Sequence, residues 1–208
     1  MITPLIKICG ITNHDDAVCA VEHGVDFLGF CFVRSSPRYV TPDCARWIIE
    51  RLPEGVQKVG VFVNCPDDRV NSIAEQCKLD ILQLHGDESP ETAAALGVER
   101  VWKALPVWND DDLQKALEFP AAAILVDSIT KEKRGGTGTT GDWALAARLA
   151  RKRHIVLAGG LSPGNVVPAL KQVRPYAVDV CSGIEKKPGL KDYSRLTRFV
   201  QNVRGAGK

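Results

Sequence analysis

The feature that most constrains the fold is an alternation, repeated eight times, of short apolar runs with segments of helical periodicity. The runs are nearly continuous in apolar residues, as is typical of strands buried on both faces of a sheet. We predict strands at residues 5–9, 26–32, 58–63, 81–85, 100–105, 122–127, 155–158 and 177–181. The intervening helices are predicted at residues 15–23, 41–52, 66–77, 90–96, 110–118, 142–153, 163–173 and 192–203.

Strands that alternate with helices in this way indicate parallel β/α units. Eight such units in 208 residues predict an α/β protein with one domain, a (β/α)8 TIM barrel over residues 1–208. A doubly wound open sheet is the structural alternative. The turn after the first predicted strand reads CGITNHDD, however, and lacks the GxGxxG fingerprint that often follows the first strand of such a sheet.

Composition excludes several classes of function. With 27 basic and 25 acidic residues the net charge is only +2, which does not suggest binding to nucleic acid. No run approaches the roughly 18 apolar residues of a membrane span. The seven cysteines are odd in number and form no CxxC pair, so we expect neither a disulfide framework nor a metal site. These features favour a cytoplasmic protein in a reducing compartment.

Candidate functional residues follow from the rule that barrel sites lie at the carboxyl ends of the strands. Lys7 and Cys9 are two apart and share a strand face, so the ammonium can favour a thiolate that acts as base or nucleophile. The alternative is a buried cysteine used only for packing. His85, two residues after Gln83, lines a pocket or holds a loop by a hydrogen bond.

Asp127 ends the most apolar of the predicted strands. A carboxyl group at the rim of a dry core is costly unless it is paired or neutral, so Asp127 is a candidate general acid. The alternative is a carboxylate that accepts hydrogen bonds from loop amides. Arg38, in the loop after the second strand, is a candidate ligand for a substrate carboxylate, or else a solvated surface residue.

Three turns rich in small residues follow the last three strands: GGTGTTGD at 135–142, GGLS at 159–162 and SG at 182–183. Clustered glycines let backbone N–H groups converge on an anion, and (β/α)8 barrels frequently bind phosphate in the loops after strands seven and eight. In a single turn of this kind, the alternative is that the glycines only permit a tight turn of the backbone. Three at matching positions predict a phosphate site.

Several motifs together make the sequence recognisable. They are KICGIT at 7–12, SPR at 36–38, LQLHGDE at 82–88, GGTG at 135–138, DW at 142–143, AGGL at 158–161, VDV at 178–180, SGIE at 182–185 and PGLKD at 188–192. In this order and over most of the chain they resemble the phosphoribosylanthranilate isomerase family of tryptophan biosynthesis. The resemblance implies an Amadori rearrangement of N-(5-phosphoribosyl)anthranilate to 1-(2-carboxyphenylamino)-1-deoxyribulose 5-phosphate.

The resemblance also implies roles for individual residues. Asp127 would be the general acid and Cys9 the general base. Arg38 would hold the anthranilate carboxylate, and Asp179 and His85 would contact or position the substrate. Loop amides would bind the phosphate at Gly136, Gly138, Gly159, Gly160, Ser182 and Gly183. No cofactor and no metal are implied, the only implied ligand is the small-molecule substrate, and members of the family occur as monomers and homodimers.

Some positions depart from the family pattern. Thr139 and Gly141 replace a common Lys and Phe, which bears on phosphate affinity, and Cys181 stands where Ser is frequent, which predicts sensitivity to oxidation. Alternative functions are a related phosphate-sugar isomerase or synthase of the same fold, and a catalytically silent phosphate-binding barrel. Cys9 argues against the histidine-pathway isomerase, which uses an aspartate at the end of its first strand.

Overall fold

Eight parallel strands pair in chain order and close into a barrel, with β8 hydrogen-bonded to β1. The computed structural model describes residues 3–127 and 143–206. The strands are β1 Leu5–Cys9, β2 Phe27–Cys31, β3 Gln57–Phe62, β4 Ile81–Leu84, β5 Val101–Leu105, β6 Ala123–Asp127, β7 Ile155–Ala158 and β8 Ala177–Val180. The predicted (β/α)8 barrel is therefore confirmed.

A helix follows each strand and packs on the outside of the barrel. The helices are α1 His14–Glu22, α2 Pro42–Ile49, α3 Asp67–Cys77, α4 Pro90–Leu96, α5 Asp110–Glu118, α6 Trp143–Ala150, α7 Val166–Val173 and α8 Tyr193–Gly205. Two 3₁₀ turns, Val98–Arg100 and Ser182–Ile184, complete the helical structure of the described residues. Within these ranges, no helix combines the length and the apolar character that crossing a membrane requires.

The predicted strands lie where the sequence placed them, with ends that differ by no more than one residue. The helix ends agree less well. Helix α2 was predicted to reach Leu52 but ends at Ile49, since Arg51 and Leu52 donate to the carbonyls of Ile48 and Ile49 in tight turns. The proline that follows Leu52 disfavours helical backbone there, which explains the early end.

Helix α7 begins later than predicted for a related reason. Ser162 and Asn165 form a turn, in which the Ser162 amide donates to Asn165 Oδ1 at 2.8 Å, and the regular helix starts only at Val166. Helices α1 and α2 begin at residues whose side chains cap the helix. Asn13 and Thr41 accept from the amides of Asp16 and Cys44 and so begin α1 and α2.

A short antiparallel hairpin after β8 was not predicted. Its strands are β9 Glu185–Lys187 and β10 Leu190–Lys191, and it joins β8 to α8. The hairpin is fastened to the start of the chain, because the Lys191 amide donates to Asp16 Oδ2 at 2.9 Å and the Thr12 hydroxyl donates to the Gly189 carbonyl. This fastening brings the charged side chains of the hairpin to the carboxyl end of β1.

Both faces of each strand are buried, as the continuous apolar runs predict. The outward faces pack against the helices in the larger hydrophobic cluster. The inward faces form a smaller cluster inside the barrel, in which the rings of Phe27 and Trp102 meet edge to face with centroids 4.9 Å apart. This filled interior makes the barrel a packed core, and the cavity described below lies at the carboxyl ends of its strands.

We predict that Trp102→Ala lowers the free energy of unfolding by about 3–5 kcal/mol, because it empties a buried volume inside the barrel. Urea denaturation monitored by circular dichroism measures the change. Trp47→Ala removes the same side chain from the exposed surface of α2, where the residue is 48% accessible, and should cost less than about 1 kcal/mol. Equal losses for the two variants would contradict the assignment of Trp102 to the core.

Candidate active site

A cavity of about 340 Å³ opens at the carboxyl ends of the strands. It brings together residues that the sequence analysis had singled out in five of the eight β/α units. The predicted site residues in its wall are Cys9, His85, Asp127, Asp179, Gly159, Gly160 and Ser182. Arg38 and Gly183 are not part of this wall, although Ser36 and Ser182 are, and Gly136 and Gly138 fall outside the described residues.

The cavity has a buried ion pair at its base. Lys7 on β1 and Asp179 on β8 are register partners, and Lys7 Nζ lies 3.0 Å from Asp179 Oδ2. Burial alone lowers the pKa of Lys7, but the Asp179 carboxylate, with Cys9, raises it above its ordinary value. The lysine therefore stays charged inside the barrel, close to the end of β1.

Cys9 is the last residue of β1 and is partly exposed to the cavity. A hydrogen bond from the Cys181 thiol lowers the pKa of Cys9, burial raises it, and the Lys7 ammonium lowers it again, so that it falls to about 6. Cys9 is thus largely a thiolate at neutral pH. The sequence predicted the influence of Lys7 but missed the larger contribution of Cys181.

Arg38 reaches the site from the loop after β2, but it is already paired with a carboxylate of the protein. Its Nε and Nη2 lie 2.9 and 2.6 Å from the two carboxylate oxygens of Glu185. This pairing fixes the plane of the guanidinium beside the cavity. Burial raises the pKa of Glu185, but Arg38 and Lys191 outweigh it and keep the carboxyl group ionised.

Lys191 extends this pair into a network. Its Nζ lies 3.0 Å from Glu185 Oε1 and donates to the carbonyl of Cys9 at 2.6 Å. The β9–β10 hairpin therefore holds both the backbone of the candidate base and the candidate carboxylate ligand, Arg38. The sequence analysis included Glu185 and Lys191 within motifs but assigned neither of them a role. The available signal was the concentration of charged residues in the short segment after the last barrel strand.

His85 follows β4 on the other side of the cavity. Gln83 Nε2 lies 2.8 Å from His85 Nδ1, so the amide donates to the ring and the ring proton is left on Nε2. Burial in the concave wall lowers the pKa of His85, and the Lys7 ammonium lowers it further. His85 is therefore a neutral donor at neutral pH.

The loop that carries His85 is fixed from below by a second buried lysine. Lys103 Nζ donates to the Gly86 carbonyl at 2.6 Å and lies 2.9 Å from Glu88 Oε2. Glu88 in turn accepts from the amide of Gly86. Lys103 and Glu88 thus position the loop that carries His85.

Asp127 is the last residue of β6 and lines the same cavity as Cys9.

Two acceptor atoms in the wall remain unsatisfied. Within the described part of the chain, Gln83 Oε1 and Asp179 Oδ1 are buried and have no hydrogen-bond partner. Buried polar atoms without partners are costly, so a ligand that offers hydroxyl groups would gain from entering the cavity. The cavity is therefore suited to a polyhydroxylated small molecule.

The turns after β7 and β8 form a second part of the site. Gly159 and Gly160 adopt positive φ angles of 84° and 64°, which favour glycine. At Gly183 a Cβ atom would lie 1.9 Å from the Leu161 carbonyl oxygen, so only glycine lets the two turns touch backbone to backbone. This contact brings Ser182 beside Gly159 and Gly160 at one end of the cavity, as a joint anion site requires.

A thiolate, a carboxyl group and a neutral imidazole thus converge at the carboxyl ends of barrel strands. The fold and the cavity define the class of the protein: a (β/α)8-barrel enzyme equipped for acid–base chemistry on a small polar molecule. Comparison with known proteins identifies the family. The sequence model of N-(5′-phosphoribosyl)anthranilate (PRA) isomerase matches residues 6–202, and the chain belongs to this family.

Individual relatives agree with this assignment. The N-(5′-phosphoribosyl)anthranilate isomerase of Pelobacter propionicus is 46% identical over 196 residues, which cover 94% of this chain and 93% of the relative. The crystal structure of the Thermotoga maritima isomerase is 43% identical, with a TM-score of 0.90 over 97% of this chain and 99% of that chain. A related isomerase structure contains reduced 1-(o-carboxyphenylamino)-1-deoxyribulose 5-phosphate, with 41% identity, a TM-score of 0.87 and the same coverage.

We predict that Lys7→Met raises the pKa of Cys9 above about 6, because it removes a nearby cation and leaves the Asp179 carboxylate unpaired. The pH dependence of Cys9 alkylation, followed by peptide mass spectrometry, measures this pKa. Lys103→Met is the matched control, since it removes a buried, carboxylate-paired lysine elsewhere in the barrel. An unchanged midpoint of the pH dependence of Cys9 alkylation in Lys7→Met would show that Lys7 does not lower the pKa of Cys9.

Proposed function

We propose that this protein converts N-(5-phosphoribosyl)anthranilate to 1-(2-carboxyphenylamino)-1-deoxyribulose 5-phosphate, with Cys9 as general base and Asp127 as general acid. One observation above all supports the proposal. Cys9 at the end of β1 and Asp127 at the end of β6 line the same cavity, and the pKa of Cys9 is lowered to about 6. A base and an acid are thus available to one bound substrate.

The reaction begins at Asp127, whose carboxyl group protonates the furanose ring oxygen. The C1′–O bond breaks, and the ring opens to an iminium ion stabilised by the anthranilate nitrogen. Cys9 then removes the proton from C2′, and the electron pair of that bond forms an enolamine. Tautomerisation of the enolamine to the ketone completes the isomerisation. Lys7 stabilises the thiolate before proton transfer, and its pair with Asp179 keeps it in place.

Substrate binding divides between the two ends of the cavity. At one end the turns with Gly159, Gly160, Ser182 and Gly183 would hold the phosphate. The family resemblance adds Gly136 and Gly138, which lie outside the described residues, to the phosphate ligands. The unsatisfied acceptors of Gln83 and Asp179 would accept hydrogen bonds from sugar hydroxyl groups, and His85 Nε2 would donate to a sugar oxygen. At the other end Arg38, oriented by Glu185, would hold the anthranilate carboxylate.

The proposed location is the cytoplasm, which is supported by the seven free cysteines, all of them among the described residues. The proposed assembly is a monomer or a homodimer. One related structure is described as monomers generated from the dimeric isomerase of Thermotoga maritima. Analytical ultracentrifugation of the intact chain distinguishes the two states.

We predict that Cys9→Ser and Asp127→Asn each lower kcat by about 10²–10⁴-fold, the contribution expected of a general acid or base. The loss of anthranilate fluorescence, with substrate generated in situ, reports turnover. Cys44→Ser on α2 and Asp111→Asn on α5 are matched controls and should retain activity. Absence of turnover by folded wild type would favour a related phosphate-sugar isomerase or a silent barrel.

We further predict that kcat/KM rises as pH increases through about 6. The base acts only when deprotonated, so activity is lost as pH falls below the pKa of Cys9. In Lys7→Met the same limb should move to higher pH, because the pKa of the thiol rises. A flat profile through pH 6 in wild type would contradict Cys9 as the base.

A further inference from the structure

Two thiols meet where β1 and β8 close the barrel. The register of these strands pairs Lys7 with Asp179 and Ile8 with Val180, so the next residues along, Cys9 and Cys181, are neighbours. Partners in register point to the same face of the sheet, and Lys7 and Asp179 already meet inside the barrel at 3.0 Å. Cys9 and Cys181, each two residues further on, both line the cavity.

The spacing suits a covalent bond between the sulfurs. Neighbouring strands lie about 4.8 Å apart, within the span of about 4.4–6.8 Å between Cα atoms that a disulfide bridges. The Cys181 sulfur lies against the end of β1, since a Cβ atom at Gly10 would be only 3.0 Å from Cys181 Sγ. The Cys181 thiol donates to Glu185 Oε1 at 3.7 Å, and its interaction with Cys9 lowers the pKa of the Cys9 thiol.

Cys31 is the other thiol in the cavity wall, and its register is different. The partner of Cys9 on β2 is Gly29, so Cys31 lies diagonally from Cys9. Cys181 is therefore the thiol positioned to react with an oxidised Cys9.

We propose that Cys9 and Cys181 form a reversible disulfide in response to peroxide, and that this bond switches the enzyme off. The proposal rests on the proposed function to the extent that Cys9 is the catalytic base. It assigns Cys181 as the resolving cysteine of an oxidation site within the active-site cavity.

The chemistry proceeds in two balanced steps, with hydrogen peroxide as oxidant. The Cys9 thiolate attacks one peroxide oxygen, the O–O bond breaks, and Cys9 becomes a sulfenic acid while hydroxide leaves. The Cys181 sulfur then attacks the Cys9 sulfur, the S–O bond breaks, and the departing oxygen leaves as water with the Cys181 proton. Two thiol sulfurs are oxidised, and one peroxide is reduced to two molecules of water or hydroxide.

The order of these steps follows from the electrostatics of the pair. The thiolate is the form that reacts with peroxide, and Cys9 is largely a thiolate at neutral pH. Its hydrogen bond to Cys9, together with burial and the Cys9 charge, raises the pKa of Cys181 and keeps that thiol protonated. Once Cys9 is a neutral sulfenic acid, its negative charge and its hydrogen bond to the Cys181 thiol no longer raise the pKa of Cys181. The Lys191 ammonium then favours ionisation of Cys181.

Peptide mass spectrometry and activity assays on the intact protein test the proposal together. Wild type, Cys181→Ser and Cys31→Ser are treated with graded peroxide, digested under alkylation, and assayed before and after dithiothreitol. Each variant is compared with its own untreated activity. In wild type we expect a linked Cys9–Cys181 peptide, a loss of activity in proportion to that peptide, and recovery with dithiothreitol.

Cys31→Ser should behave as wild type. Cys181→Ser should lose activity with Cys9 driven to sulfinic acid, which dithiothreitol does not reverse. A Cys9–Cys31 peptide, or loss of activity with no linked peptide, would overturn the assignment of Cys181. Full activity in protein that carries the Cys9–Cys181 disulfide would overturn both the switch and the role of Cys9 as base. If Cys9→Ser is inactive but peroxide forms no disulfide in wild type, the switch alone is overturned.

Discussion

The in-register closure of β1 against β8 is the interaction on which the rest of the site depends. It joins the first and last strands of the barrel and places Lys7 beside Asp179 in the interior. In a buried ion pair of this kind each charge stabilises the other. Removing either partner leaves an uncompensated charge and destabilises the fold by about 3–5 kcal/mol. The pair favours the observed register of the two strands and places a charge pair at the base of the cavity.

The same device recurs around the cavity. Three lysines buried near the carboxyl ends of the strands each face one carboxylate: Lys7 with Asp179, Lys103 with Glu88 and Lys191 with Glu185. Two of them also donate to backbone carbonyls of the loops or strand ends that carry candidate site residues. These buried ion pairs help to fix the positions of the site residues, since the ammonium groups of Lys103 and Lys191 each have several acceptors.

The sequence predicted most of the barrel, because apolar runs that are buried on both faces leave an unambiguous signal. Helix ends such as those near Leu52 and Ser162 were less predictable, since local turns compete with the helix there. The candidate site was predictable where a polar residue ends an apolar strand, as at Asp127. The influence of Cys181 on Cys9 and the pairing of Arg38 with Glu185 were not, because they depend on contacts between distant parts of the chain.

The location of Cys181, Asp179 and Lys191 near the end of the chain has a consequence for biosynthesis. Cys9 leaves the ribosome early, and the groups that govern its ionisation and hold its backbone follow almost a whole chain later. Until β8 closes on β1, Cys9 is an ordinary thiol, mostly protonated and slow to react. The lowered pKa of Cys9 therefore requires that β8 has paired with β1, and an incomplete nascent chain lacks it.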